Sequence, residues 1–344
     1  MRPLEGIKVL DLSRVLAGPY ATMMLADYGA DVIKVEPPQV GDDSRAFGPF
    51  INGESAYFMS LNRNKRSIVL NLKDPDHVAT FKELVANIDV VVENYRPGTM
   101  EKFGLGYDVL SQIKPDLIYA ACSGFGDSGP YRLKPAYDVV VQAMGGIMSI
   151  TGPEGSTGFR VGASVGDVVA GIFTAYGIMM ALYHRQTTGE GQKVDVAMLD
   201  CQLAILENAI ARYVTSGEVP KPLGNRHPSI TPFSAYTSAD GSVIVGAGND
   251  RLWAKLCVLL GREDLLTDPR FLTNSDRTEH ATELGEILDR AFGRDTTDNW
   301  LAKLDEAGIP NAPINTVDRV VADPHVAARE MIVEVEHPTA GRLR

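Results

Sequence analysis

Cysteine is scarce in this chain, three in 344 residues. Cys122, Cys201 and Cys257 are widely spaced, so neither a disulfide framework nor a zinc spacing exists, and the pattern suits a reducing cytosol. Positive charge is also short: 33 Lys and Arg against 44 Asp and Glu give a net charge of -11. That balance opposes nonspecific nucleic-acid binding and leaves an anionic ligand to find a local pocket. His184, His227, His280, His325 and His337 show no ligand spacing, so no metal is expected. There is no G-x-S-x-G elbow for a serine hydrolase and no cysteine in a nucleophile motif with a nearby histidine. A dinucleotide fold needs G-x-G-x-x-G after its first strand; Ser13 to Pro19 supplies only Gly18, which excludes NAD and leaves Glu36 as a solvated strand end. The N-terminus lacks a signal-peptide apolar core, and the apolar run 168–184 is slightly short and lacks membrane anchors. The expectation is a soluble, cytoplasmic protein with no membrane or nucleic-acid partner.

What is present is a sizeable core and an alternating pattern. Hydrophobic residues make up 44% of the chain, and its length suggests two domains. Strand patterns at 8–12, 31–36, 67–70, 89–92, 117–121 and 193–198 alternate with helical spacing at 20–27, 76–86, 109–113, 168–184 and 200–213. Such alternation implies an α/β domain, Rossmann-like, with a parallel sheet covered on both faces. Glycine and proline then crowd 216–232, a linker. Beyond it, 233–237 and 242–246 read as a hairpin and 250–260, 276–292 and 297–307 as helices, a smaller α+β domain. The expected division is 1–215, linker 216–232, small domain 233–325 and a returning segment 326–344 whose end reads as cut.

One carboxylate is out of place. Asp167 closes Gly162-Ala163-Ser164-Val165-Gly166-Asp167 and precedes seventeen residues, 168–184, with no Asp, Glu, Lys or Arg. The run reads as a buried helix with Asp167 at its N-terminus, where free amides and the helix dipole keep the carboxylate ionised. An ordinary N-cap explains an isolated aspartate as well. Arg63, Lys65, Arg66, Lys73, Arg96 and Lys102 place cations near successive strand ends, the ligand edge of open α/β sheets, either with phosphate as their target or as scattered solvent-facing side chains. Gly246-Ala247-Gly248-Asn249 follows a strand as either a mobile lid or a plain turn.

Taken together, RVLAGP at 14–19, GADVIKVEPP at 29–38, LNRNKRSIVLNLK at 61–73, VVENYRPGTMEKFGLGYD at 91–108, GASVGD at 162–167 and TTGEGQKVDVAMLD at 187–200 resemble the class III CoA transferases, the formyl-CoA, carnitine and bile-acid transferase family. The resemblance spans essentially the whole chain. It implies a Rossmann-like large domain, a small domain, and a homodimer of interlocked rings. Asp167 matches the family's nucleophile. Val15, Leu70, Lys73, Asn94, Tyr95, Lys102, Phe103 and Tyr137 match positions that hold coenzyme A, a co-substrate beside which no cofactor is implied. Asp138 matches an acidic position beside the active site, and Gly246 and Gly248 match the glycine loop that closes over the aspartate. Leu16 replaces the glutamine of formyl-CoA transferases, which disfavours formyl or oxalyl transfer. Tyr137 stands where the family's α-methylacyl-CoA racemases carry their histidine, so transfer is favoured over racemisation, and a CoA-binding protein without turnover is the further alternative. VLAGPYATM, LNRNKRSI, VVENYRPG, ITGPEG and VIVGAGND look most similar to the succinyl-CoA:glutarate type, implying a dicarboxylate acceptor whose distal carboxylate Arg45, Arg160 or Arg226 would read.

Overall fold

The computed structural model describes residues 2–344 and divides into two compact units. The first comprises Met1–Thr151, Gly158–Pro220 and Glu336–Leu343; the second comprises Gly152–Thr157, Lys221–Val335 and Arg344.

Six strands build the main sheet of the first unit: β1 (Lys8–Asp11), β2 (Asp31–Glu36), β3 (Lys65–Val69), β4 (Val90–Glu93), β5 (Ile118–Ser123) and β6 (Gln192–Ala197). They lie in the order β3-β2-β1-β4-β5-β6 and every pairing is parallel. Neighbouring residues point to opposite faces, so Val9, Val90 and Ile118 enter one buried cluster while Leu10, Val91 and Tyr119 enter another. Helices α1 (Ala17–Asp27) and α4 (Val165–Thr188) cover the first cluster through Leu25, Ala26, Ile178 and Ala181. Helix α2 (Pro75–Val85), started by Asp74 with proline at its first turn, covers the second through Phe81 and Val85. The α/β class with a parallel sheet is as expected, and both faces are covered.

Helix α4 corrects two expectations. It spans 24 residues rather than the seventeen of 168–184, ending at Gly189 in the left-handed region, and by length and composition alone it could cross a membrane. It is also buried on one side only. Ala170, Gly171, Thr174, Ala175, Ile178 and Ala181 face inward, whereas Ile172, Tyr176, Met180 and Tyr183 repeat at helical spacing on a half-exposed apolar stripe. Two longer helices expected from periodicity are each broken: 200–213 becomes α5 (Met198–Ile205) and Asn208–Ser216, separated at Glu207 with φ 54°, and 276–292 becomes Asn274–Glu279 and α7 (Ala281–Phe292), separated at His280. Helix α3 (Asp138–Met144) lies in a stretch where no element was expected.

In the second unit, β7 (Phe233–Thr237) and β8 (Ser242–Gly246) form the expected hairpin. A third strand, β9 (Asn311–Pro313), joins β8 antiparallel. It is three residues long and ends in proline, too little pattern to read. Helices α6 (Asp250–Leu260), α7 and α8 (Thr297–Ala307) pack around Trp253, Phe271, Phe292 and Trp300.

Candidate active site

The strand order reverses between β1 and β4, and the loops after these strands are tied together. The Arg14 backbone N–H donates to Asn94 Oδ1 at 2.9 Å, and Asn94 Nδ2 donates to the Arg14 carbonyl at 2.8 Å. Ligands of open α/β sheets bind at such a reversal, outside the C-terminal strand ends. Two cavities open there. One, of about 170 Å³, is lined by Val15, Leu16, Asn94, Tyr95, Tyr137 and Asp167 among others. The second, of about 380 Å³, is lined by Leu70, Lys73, Tyr95 and Phe103 along with Val40 and Asp43. Arg14 and Tyr95 border both, and Lys102 lines neither.

Asp167 is the third residue of α4, after Ser164 at the N-cap. Its approach is set by Asp138, the first residue of α3 and only 7% exposed. Asp138 Oδ1 accepts the Gly166 N–H at 2.9 Å, one of the amides that the helix start leaves free. Gln142 Nε2 and Arg160 Nε complete the shell of Asp138 at 2.9 and 3.0 Å. Gly166 permits this contact, since a Cβ there would lie 2.7 Å from Val141 Cγ2. The Asp167 carboxylate itself accepts no hydrogen bond among the described residues. Burial, then the Asp138 charge, raise its pKa from 3.8 to about 7 against the opposing pull of Arg160. The helix dipole therefore does not keep it fully ionised, as had been expected. Desolvation and a like charge outweigh the dipole.

The cations sort differently from their sequence positions. Arg63 and Arg66 pair with Asp27 and Asp31, toward the N-terminal strand ends, and Lys65 is buried on Asp11 at 3.0 Å. Arg45 grips Glu36 with both Nε and Nη2, at 2.7 and 2.8 Å, and stacks over the Phe58 ring, so Glu36 is a buried ion-pair partner and not a solvated strand end. Arg160 holds Asp138, and Arg226, in the second unit, meets Glu154 at 2.7 Å. By contrast Arg96, Arg132 and Lys134 line the Asp167 cavity and form no salt bridge among the described residues. Gly246 and Gly248 lie in the second unit, where a Cβ would meet the Phe233 ring at 3.3 Å and Ile230 Cγ2 at 2.1 Å. Close packing inside that unit accounts for both glycines.

Several residues of the site carry no readable motif. Burial, then the charges of Asp167, Asp42 and Asp138, push the Tyr57 phenol up, although Tyr57 does not line the Asp167 cavity. Glu93 Oε2 accepts the Tyr95 N–H at 2.6 Å, and burial pushes Glu93 up to about 8, so the turn that carries Tyr95 rests on a neutral acid at pH 7. Cys122 lines the Asp167 cavity, but burial pushes its thiol up to about 12, which removes it as a nucleophile. The residues named from the sequence do gather here: Val15, Leu16, Asn94, Tyr95 and Tyr137 line the Asp167 cavity, and Leu70, Lys73 and Phe103 the neighbouring one.

Residues 4–344 match CoA-transferase family III. The chain belongs to this family. This CoA-transferase is 43% identical to the mouse succinyl-CoA:glutarate CoA-transferase over 344 residues, all of this chain and 79% of the mouse protein. It is equally 43% identical to the acetyl-CoA:oxalate CoA-transferase of Acetobacter aceti, over 96% of this chain and 86% of that one. Among solved structures, a CAIB/BAIF family protein from Brucella suis superposes with a TM-score of 0.86 at 41% identity, covering 97% of this chain and 89% of the other. The enzyme is thus a CoA-transferase of family III with the α/β architecture of its relatives.

Proposed function

We propose that this family III enzyme moves CoA from an acyl-CoA, succinyl-CoA above all, to a short dicarboxylate through covalent intermediates on Asp167. The observation that carries the reading is a carboxylate with no hydrogen-bond partner among the described residues, in a cavity at the sheet reversal walled by Arg96, Arg132 and Lys134, none of which forms a salt bridge among those residues. An Asp167 oxygen attacks the thioester carbonyl, the carbon–sulfur bond breaks, and an acyl-aspartyl anhydride forms with CoA thiolate. The thiolate attacks the aspartyl carbonyl, releasing the donor acid and leaving an aspartyl-CoA thioester. The acceptor carboxylate then attacks that thioester, and thiolate attacks the new anhydride at its acyl carbon, restoring Asp167. Water must be kept from the anhydride, which suits a partly buried nucleophile.

Coenzyme A fits the paired cavities in character. Leu70, Tyr95 and Phe103 offer apolar and aromatic surface, and Lys73 offers charge for phosphate, whereas Arg14 is already paired with Asp43 at 3.1 Å. For the distal carboxylate of the acyl group, Arg96, Arg132 and Lys134 are better placed than Arg45 or Arg226, whose guanidinium groups are occupied by Glu36 and Glu154. The acid named for the mouse relative, glutarate, carries two carboxylates, which supports this substrate class; oxalate, named for the Acetobacter relative, runs against the expectation drawn from Leu16. A homodimer accords with the apolar stripe on α4, and three buried free thiols accord with a reducing compartment.

Wild-type protein incubated with succinyl-CoA and individual dicarboxylates, read by mass spectrometry, should form the acceptor's CoA thioester. Hydroxylamine should trap a hydroxamate on Asp167. Deuterium wash-in at the α-carbon without exchange would make the enzyme a racemase instead, and trapping at Asp138 would refute the assignment of the nucleophile.

A further inference from the structure

We propose that the buried Lys34–Asp42 ion pair is a positioning device that holds the backbone of Val15 in the left-handed region beside Asp167; this rests on the transferase reading above. Val15 has φ 66°, a conformation in which the Cβ of a branched L-residue crowds its own backbone. Something must hold it there. Its N–H donates to Asp42 Oδ1 at 3.1 Å, and that oxygen is itself fixed by the Ser44 N–H at 2.8 Å and Ser44 Oγ at 2.7 Å. Lys34 Nζ lies 2.8 Å from Asp42 Oδ2 and 2.7 Å from the Ser13 carbonyl oxygen. One ammonium thus ties the acceptor of Val15 to the chain two residues before it, while the Asn94 clamp on Arg14 fixes the residue between.

Both partners are almost fully buried, Lys34 at 2% and Asp42 at 3% exposure. A buried pair of this kind adds little net stability over apolar residues of similar size, so its geometry is the better account of its presence. Val15 and Leu16 line the Asp167 cavity, whereas Lys34 and Asp42 border only the neighbouring one. The pair therefore acts through Val15. The strained turn sets the wall against which a thioester meets the carboxylate, and a displacement of about 1 Å there costs on the order of 10²-fold in rate. Backbone strain persists at functional sites where the surroundings over-determine it.

Two double variants separate charge from position, because each avoids stranding one buried charge. Lys34→Met with Asp42→Asn keeps an oxygen for the Val15 N–H; Lys34→Met with Asp42→Leu does not. The first, which loses only the Lys34 tie to Ser13, should drop in kcat by about fivefold at most, and the second, which also loses the acceptor of the Val15 N–H, by roughly 10- to 100-fold, with little change in CoA affinity in either. Amide hydrogen exchange at Val15 should stay slow in the first and accelerate in the second. A single-residue arm avoids the buried pair altogether. Val15→Asn, which tolerates the left-handed region, should raise the unfolding midpoint while leaving the turn free to move, and Val15→Ala, which retains the strain, should not. Equal exchange rates in the two double variants, or equal Val15 amide protection, overturn the proposal. If the wild type shows no CoA exchange, the transferase reading fails, and Val15 amide protection alone decides whether the pair anchors the turn.

Discussion

Replacing Asp167 by asparagine should change stability in a pH-dependent way, quite apart from chemistry. In the folded enzyme the carboxyl is raised from its ordinary 3.8 to about 7 by burial and by Asp138. A folded-state pKa above the unfolded one means that the folded chain holds its proton more tightly. The associated stability is fully present below the unfolded value and is lost as pH climbs through the folded one. The interval from 3.8 to about 7 corresponds to about 4 kcal/mol, of which about 3 kcal/mol falls between pH 5 and pH 8. Asp167→Asn carries no titrating group there and escapes the loss. Unfolding midpoints of the two proteins should accordingly converge near pH 5 and separate by several degrees near pH 8, with Asp167→Asn the more stable. Calorimetry across that range makes the comparison. A midpoint difference that does not vary with pH would refute the raised pKa, and with it the idea that the site stores energy in an anionic nucleophile.

Other outcomes follow from the same geometry. In Asp138→Asn, loss of the like charge should move the acidic limb of kcat/KM for acyl-CoA downward by about one pH unit from its wild-type position near 7, while an unmoved limb would detach Asp138 from Asp167. Arg132→Gln and Lys134→Gln should each raise the KM for a dicarboxylate by about tenfold, the weight of one charge-assisted hydrogen bond, and leave a monocarboxylate largely unaffected. Arg226→Lys, already paired with Glu154, should do neither, which steady-state kinetics with both acid classes can check. Gly166→Ala, pressed against Val141 and the Asp138 carboxylate, should lower stability by about 1–3 kcal/mol and reduce kcat in step. Tyr176→Glu with Met180→Glu on the apolar stripe should shift the mass seen by light scattering from dimer toward monomer, and an unchanged mass would remove that face from the interface.

The elements that were legible share one property, a local pattern with a single physical reading. Val90-Val91-Val92 can only be a strand buried on both faces, and Gly308 followed by Pro310 can only stop α8. Helix α4 was placed but its faces were misjudged, because alanine, glycine, tyrosine and methionine all count as apolar whether they meet a sheet or solvent. The breaks at Glu207 and His280 were invisible since neither residue is a helix breaker, and tertiary packing sets both. Within the site, Asp167 stood out through its lack of charged neighbours. Its raised pKa did not, because burial and Asp138, 29 residues away in sequence, are facts of packing. The arginines were ranked by proximity along the chain, and ion pairs such as Arg45 with Glu36 form across it.

The distribution of these residues also bears on how such an enzyme diversifies. The loops that carry Asn94, Val15 and Gly166 are held by the bonds between Arg14 and Asn94, Val15 and Asp42, and Gly166 and Asp138, so mutation there disturbs the scaffold and the site together. Arg132 and Lys134 sit in the irregular stretch between β5 and α3, exposed and without ion-pair partners. On the proposed reading, substitutions in that stretch retune which acid is accepted at little cost in folding. Acceptor choice and scaffold would then vary independently, the one through a single loop and the other through the hydrogen-bonded turns around Asp167.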